Sequence, residues 1–142
     1  MTIRLLYVLF LIFFIVLMGE LTMSGQGKPI PGIQGLVIDE KDLPSFEQKA
    51  LDGNPESARR LSSFYDMVRN DRKQAVYWAM IAAENGSVVG QYNLGFLLRD
   101  DPDPKNRRRA LYWLKRVSKS GDQHAADMAI QLLKEISEKR AD

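Results

Sequence analysis

The run Ala75-Val76-Tyr77-Trp78 returns thirty-five residues later as Ala110-Leu111-Tyr112-Trp113, and the same offset carries Gly86 onto Gly121. Gly53 precedes Gly86 by thirty-three residues. A period of this size is one helical hairpin, which cannot bury its apolar face alone and does so only by stacking on its neighbours. The repeat therefore restricts the chain to an all-α fold, a short α-solenoid of about two and a half hairpins. Arrays of this kind offer extended surfaces, so the class of function it points to is the binding of another protein.

Composition narrows the partner. The 142 residues, 45% hydrophobic and 27% charged, suit one compact body with an N-terminal extra. A net charge of +2 lacks the strong basic excess of a nucleic-acid binder, and no nucleic-acid partner is expected. There is no cysteine, which excludes thiol catalysis, disulfides and cysteine-ligated zinc.

After Arg4 an unbroken apolar run extends from Leu5 to Met18, followed by Gly19 and Glu20. A cation and then a hydrophobic stretch read as an export signal or a membrane anchor, here residues 1–20. Fourteen helical residues rise about 21 Å, less than the roughly 30 Å hydrocarbon core, which favours a signal peptide. No Ala-x-Ala site follows, the best small pair being Thr22 and Ser24, and this favours a retained anchor. The expectation is a retained anchor through residues 5–18 in the bacterial inner membrane, with the body in the periplasm because Arg4 holds the N-terminus inside. A soluble periplasmic protein after cleavage is the alternative.

Residues 21–41 hold Gly25, Gly27, Pro29, Pro31, Gly32 and Gly35 and read as a linker. The run Gly35-Leu36-Val37-Ile38 could be extended but has no partner strand downstream, and is expected to lie against the first helix or to stay mobile. The helical pattern occupies 42–142. Asp42 or Ser45 opens a helix to Asp52, and Asn54-Pro55 one to about Arg69. Asp71 caps a third to Asn85, and a fourth spans about Val88 to Arg99. A fifth runs from Asn106 to Ser120 and a last from Gln123 to about Glu138. Gly53, Gly86 and Gly121 are placed where the chain must reverse in a left-handed turn.

Residues Ala75 to Gly95 read AVYWAMIAAENGSVVGQYNLG and resemble the Sel1-like repeat, a helical hairpin related to the tetratricopeptide repeat. Ala75, Trp78, Ala82, Ala83, Gly86, Gln91, Tyr92, Leu94 and Gly95 match its A-x-x-W-x-x-x-A-A-x-x-G-x-x-x-A-Q-Y-x-L-G pattern. The likeness is weaker over Ala110 to Ala129 and weakest over Lys49 to Val68. The loop from Asp100 to Lys105 departs from it by carrying prolines and aspartates in place of glycines. In physical terms, Gly90 and Gly95 allow close approach of two helices. Trp78 and Trp113 fill the space between neighbouring hairpins.

Chemistry is sparse. His124 has no second histidine to share a metal, and Asp100, Asp101 and Asp103 lack the spacing and closing glutamate of a calcium loop. No metal, no cofactor and no catalytic activity are expected. Helix phase instead suggests a binding face on the first helix of each hairpin. Its residues are Glu56, Arg60 and Ser63 on one helix, Val89, Asn93 and Phe96 on the next, and His124, Met128 and Gln131 on the last. Val89 and Phe96 would be apolar anchors in a polar groove, unless the superhelix itself buries them. Arg107, Arg108 and Arg109 fall in the first turn of a helix, where the macrodipole disfavours cations. They are read either as a solvated face or as a contact to an acidic partner surface.

Short Sel1-like proteins with an N-terminal anchor resemble immunity proteins that neutralise type VI secretion phospholipase toxins in the periplasm. That resemblance implies a protein partner, a secreted lipase toxin, covered at its active-site mouth or its membrane-contacting surface. The alternative is an envelope-anchored scaffold or regulatory adaptor.

Overall fold

The computed structural model describes residues 36–139. The apolar segment 5–18 and linker residues 21–35 lie outside the described residues. Among the described residues the protein is all-α, with six helices and no strand. They are α1 (Leu43–Leu51), α2 (Pro55–Met67), α3 (Arg72–Glu84), α4 (Val88–Leu98), α5 (Pro104–Val117) and α6 (Gln123–Glu138). None of them is long and apolar enough to cross a membrane.

Five of the six helix starts among the described residues are written in the residue before them. The side chains of Asn54, Asp71, Ser87, Asp103 and Asp122 each accept a backbone N–H from the first turn they precede. These bonds satisfy donors that the helix itself leaves free. Asp42 precedes α1 without such a side-chain bond.

Two expectations about loops are corrected. Helix α5 begins at Pro104, not at Asn106, because Asp103 Oδ1 accepts the Lys105 N–H at 2.8 Å and proline at the first position has no N–H to leave unpaired. Arg107, Arg108 and Arg109 consequently start at the fourth helical position, beyond most of the unfavourable dipole field. Positive φ occurs at Gly53 (93°), Gly86 (89°) and Asn70 (50°), but not at Gly121. The chain leaves α5 through a tighter turn, with the Ser120 N–H bonded to the Val117 carbonyl at 2.9 Å. Asparagine is the non-glycine residue best suited to the left-handed region, which is how the short loop before Asp71 closes.

Packing follows the repeat. Consecutive helices are packed against each other, and α2 also meets α4, which in turn meets α6. The backbones of α3 and α5 stay apart, bridged by Arg109 reaching Met80 Sδ at 3.4 Å and Glu84 at 3.9 Å. α1 also meets α3, so the two layers differ at one place: α2, α4 and α6 touch in succession, whereas the α1–α3–α5 layer is open between α3 and α5. Trp78 of α3 is buried against Ala50, Ala58, Leu61 and Phe64 of the preceding helices. Trp113 of α5, one repeat on, is buried against Ala75, Ala79, Leu94 and Leu98. A third cluster joins Leu114 and Val117 to Ala129, Leu132 and Ile136 of α6.

Two glycines set the spacing. A Cβ on Gly90 would lie 2.6 Å from that of Ala82, and one on Gly95 would lie 2.6 Å from Leu114 Cγ. Both contacts are closer than atoms can approach, so α4 can sit this near α3 and α5 only with glycine there. Buried polar groups bond across the α2–α3 and α3–α4 seams. The Ser62 hydroxyl donates to the Ala75 carbonyl at 3.0 Å, and the Gln91 amide to the Ala83 carbonyl at 3.3 Å. Ile38 is buried in the first cluster beside Phe64, so the packed body reaches residue 38, ahead of the expected boundary at 42.

Candidate partner-binding groove

α2, α4 and α6 touch in succession, and their outward stripes converge on one cleft. It encloses about 300 Å³ between Ser63, Asp66 and Met67 of α2, Tyr92, Asn93 and Phe96 of α4, and Met128 of α6. Tyr92, Phe96 and Met128 also line a second hollow of about 230 Å³, closed on its far side by Gln131 and Glu135. The two read as one groove across the layer.

The floor is apolar. Phe96 is 36% exposed, Met128 38% and Met67 61%, large values for such side chains in a folded domain. The Arg99 guanidinium lies 3.7 Å from the Phe96 ring centroid and donates to the Phe96 carbonyl at 2.7 Å. Its Nε faces Asp100 Oδ2 at 3.2 Å. The ring is thereby held on one side and left open on the groove side.

Polar groups form the rim. Asp66 sits 3.9 Å from Arg72, whose guanidinium also donates to the Leu97 carbonyl beneath the cleft. Burial pushes the Tyr92 phenol above its ordinary pKa, the nearby Arg99 charge opposes the rise, and Glu135 adds to it. A neutral phenol, an amide, a hydroxyl and a carboxylate thus surround three exposed apolar side chains. An apolar centre with a polar edge is the composition that seats an anchoring side chain of another protein.

The expected site residues divide into three groups. Asn93, Phe96 and Met128 are brought together in the groove. Val89 and His124 are exposed one turn toward the N-termini of the same stripes, outside the cleft lining, and Arg60 stacks 4.6 Å over the Phe46 ring. Arg107, Arg108 and Arg109 belong to α5, in the other layer. There Arg107 is spent on the loop before α5, donating to the carbonyls of Asp101 and Pro102 at 2.6 and 2.7 Å.

Sequence reasoning missed Met67, Asp66 and Tyr92. Met67 follows Ser63 by one helical turn on the stripe that contains Arg60, so extending that stripe one step would have found it. Tyr92 enters the sequence reading only as a match to the repeat pattern. Its ring serves both roles, packed beside the Leu132 cluster and forming part of the groove wall.

No family model matches the chain, and no solved structure matches it. Over 115 residues the chain is 26% identical to the uncharacterized protein YibG of Escherichia coli (strain K12), covering 77% of this chain and 75% of that protein.

Proposed function

We propose that this chain is a protein-binding module: a short α-solenoid of Sel1-like hairpins whose concave layer receives a segment of a partner protein. The observation that carries the reading is the convergence of Asn93, Phe96 and Met128, from two different helices, on one cleft whose apolar floor nothing in the described body covers. The groove is shallow and continuous, which suits a protruding loop or helix of another protein better than an enclosed small molecule.

Within that class, the reading is an immunity protein that binds a phospholipase-type toxin in the periplasm and occludes it. The apolar run 5–18 supports it by offering a means of holding the inhibitor at the membrane that such a toxin attacks. Cells lacking the protein should then be killed by a lipase toxin encoded beside it and delivered to the periplasm, and the full chain should restore survival. Equal survival with and without the protein would reject the immunity reading and leave the envelope adaptor in its place.

A further inference from the structure

Helix α5 carries a second surface that the groove does not use. Residues 104–120 contain seven lysines and arginines and no aspartate or glutamate, in a chain whose net charge is only +2. The remainder is therefore acidic on balance, and the positive charge is concentrated on one helix. Its buried stripe is Ala110, Trp113, Leu114 and Val117. Its exposed stripe is Lys105, Arg108, Tyr112, Lys115 and Arg116, continued by Lys119 in the turn that follows, so that each cation has another charge or Tyr112 three or four residues away. Arg109 reaches Glu84, but among the described residues no carboxylate pairs with Lys105, Arg108, Lys115, Arg116 or Lys119. Like charges at these spacings repel along a helix, so the folded body holds an electrostatic cost that an anionic surface would relieve.

We propose that the exposed face of α5 lies on an anionic phospholipid bilayer, turning the α2–α4–α6 groove away from it. Three features favour lipid over another polyanion. Tyr112 sits at the centre of the cations, 56% exposed, its ring edge-on to Trp113 at 5.1 Å. A tyrosine body with a polar tip among lysines and arginines suits the headgroup level of a bilayer. Tyr112, Lys115, Arg116 and Lys119 also line a shallow hollow of about 260 Å³, where three cations and a phenol can meet a lipid phosphate. The chain outside the described residues contributes the third: the apolar run 5–18 ends about twenty residues before Ile38, a span of at most roughly 70 Å, which keeps the body near any bilayer that holds the run. This last argument rests on the membrane placement in the proposed function. The charge and the tyrosine do not.

The absence of cysteine allows a single reporter to be placed anywhere in the full-length protein. Fluorescent labels on Ser118→Cys, at the end of α5, and on Gln131→Cys, in the groove, are compared on vesicles bearing nitroxide headgroups. The expected result is quenching at residue 118 on phosphatidylglycerol-containing vesicles and not on pure phosphatidylcholine, with residue 131 unquenched on both. Raised salt and the combined variant Lys105→Ser, Arg108→Ser, Lys115→Ser, Lys119→Ser should abolish it, each lost charge weakening surface contact about fivefold. The variant can still pellet with both vesicle types through its N-terminal run, so failure of the anchor and failure of the α5 contact are separable. Quenching at 118 that is equal on both lipids, or absent on phosphatidylglycerol, overturns the proposal. So does a response of that label to duplex DNA or an acidic polypeptide without one to phosphatidylglycerol.

Discussion

Tyr92 and Phe96 stack one helical turn apart on α4, with ring centroids 6.4 Å apart and an interplanar angle of 26°. The pair joins the two hollows into one groove, since both rings line both. It also connects the fold to the surface: Tyr92 leans on the α6 core while Phe96 faces outward.

The first prediction follows from that orientation. Phe96→Asp places a carboxylate at the partly exposed end of the pair, so the protein should fold with a melting temperature within a few degrees of the original. Binding of a partner seated on this floor should weaken by about 2 kcal/mol or more, the loss expected of a central anchor. Calorimetric titration beside a thermal melt checks both halves. Unchanged affinity in a folded variant would remove Phe96 from the interface.

Tyr92 gives a pH prediction. Its pKa is raised chiefly by burial, so the folded state favours the neutral phenol. The stability it contributes is fully present below the unfolded tyrosine pKa and is lost as pH rises through the higher folded value. Tyr65 is raised as well, by burial and by Glu47, so Tyr92→Phe should remove part of the late phenolate absorbance and lessen the alkaline loss of stability. Late absorbance unchanged by Tyr92→Phe would contradict the environment described.

The two tryptophans should not respond alike. Replacing either by alanine removes a large buried ring and should cost about 3–5 kcal/mol. The Trp78 indole N–H is buried without a hydrogen-bond partner, whereas that of Trp113 is not so placed. An unpaired buried donor costs about 1–3 kcal/mol, and phenylalanine removes it. Trp78→Phe should therefore be milder than Trp113→Phe in urea unfolding, and the reverse order would show that the Trp78 donor has a partner.

Two glycines of the repeat pattern should also diverge. Gly95→Ala drives a methyl against the fully buried Leu114 and should cost about 1–3 kcal/mol through overpacking. Gly121→Ala meets open space without positive φ and should be neutral or stabilise by about 0.4–1 kcal/mol. Thermal melts of the two variants decide it. Equal losses would mean that the turn after α5 needs glycine after all.

That contrast marks what the sequence could and could not disclose. The caps and most helix limits were legible because each depends on a few adjacent residues, such as Asn54-Pro55 or Asp71. Gly121 misled because a glycine at repeat spacing looks the same whether or not its φ is positive. Asp103-Pro104 was read as loop, although aspartate before proline is also a helix start. Part of the groove is legible from phase alone, through Ser63, Asn93, Phe96, Met128 and Gln131. What phase does not supply is which end of each stripe converges. That depends on how α4 sits against α2 on one side and α6 on the other, a tertiary effect, and it leaves Val89 and His124 outside and brings Met67 in.

The central claim is that the groove across α2, α4 and α6 is where a protein partner binds. Photo-crosslinking residues placed in turn at Met67, Asn93 and Met128 of the full-length protein in living cells test it most directly, with Leu51 and Lys105 as positions off the groove. The account predicts that the three groove positions capture one and the same protein, that the outer positions do not, and that Phe96→Asp abolishes the capture. Capture of a common protein from Leu51 or Lys105 but not from the groove, or capture indifferent to Phe96→Asp, would contradict it.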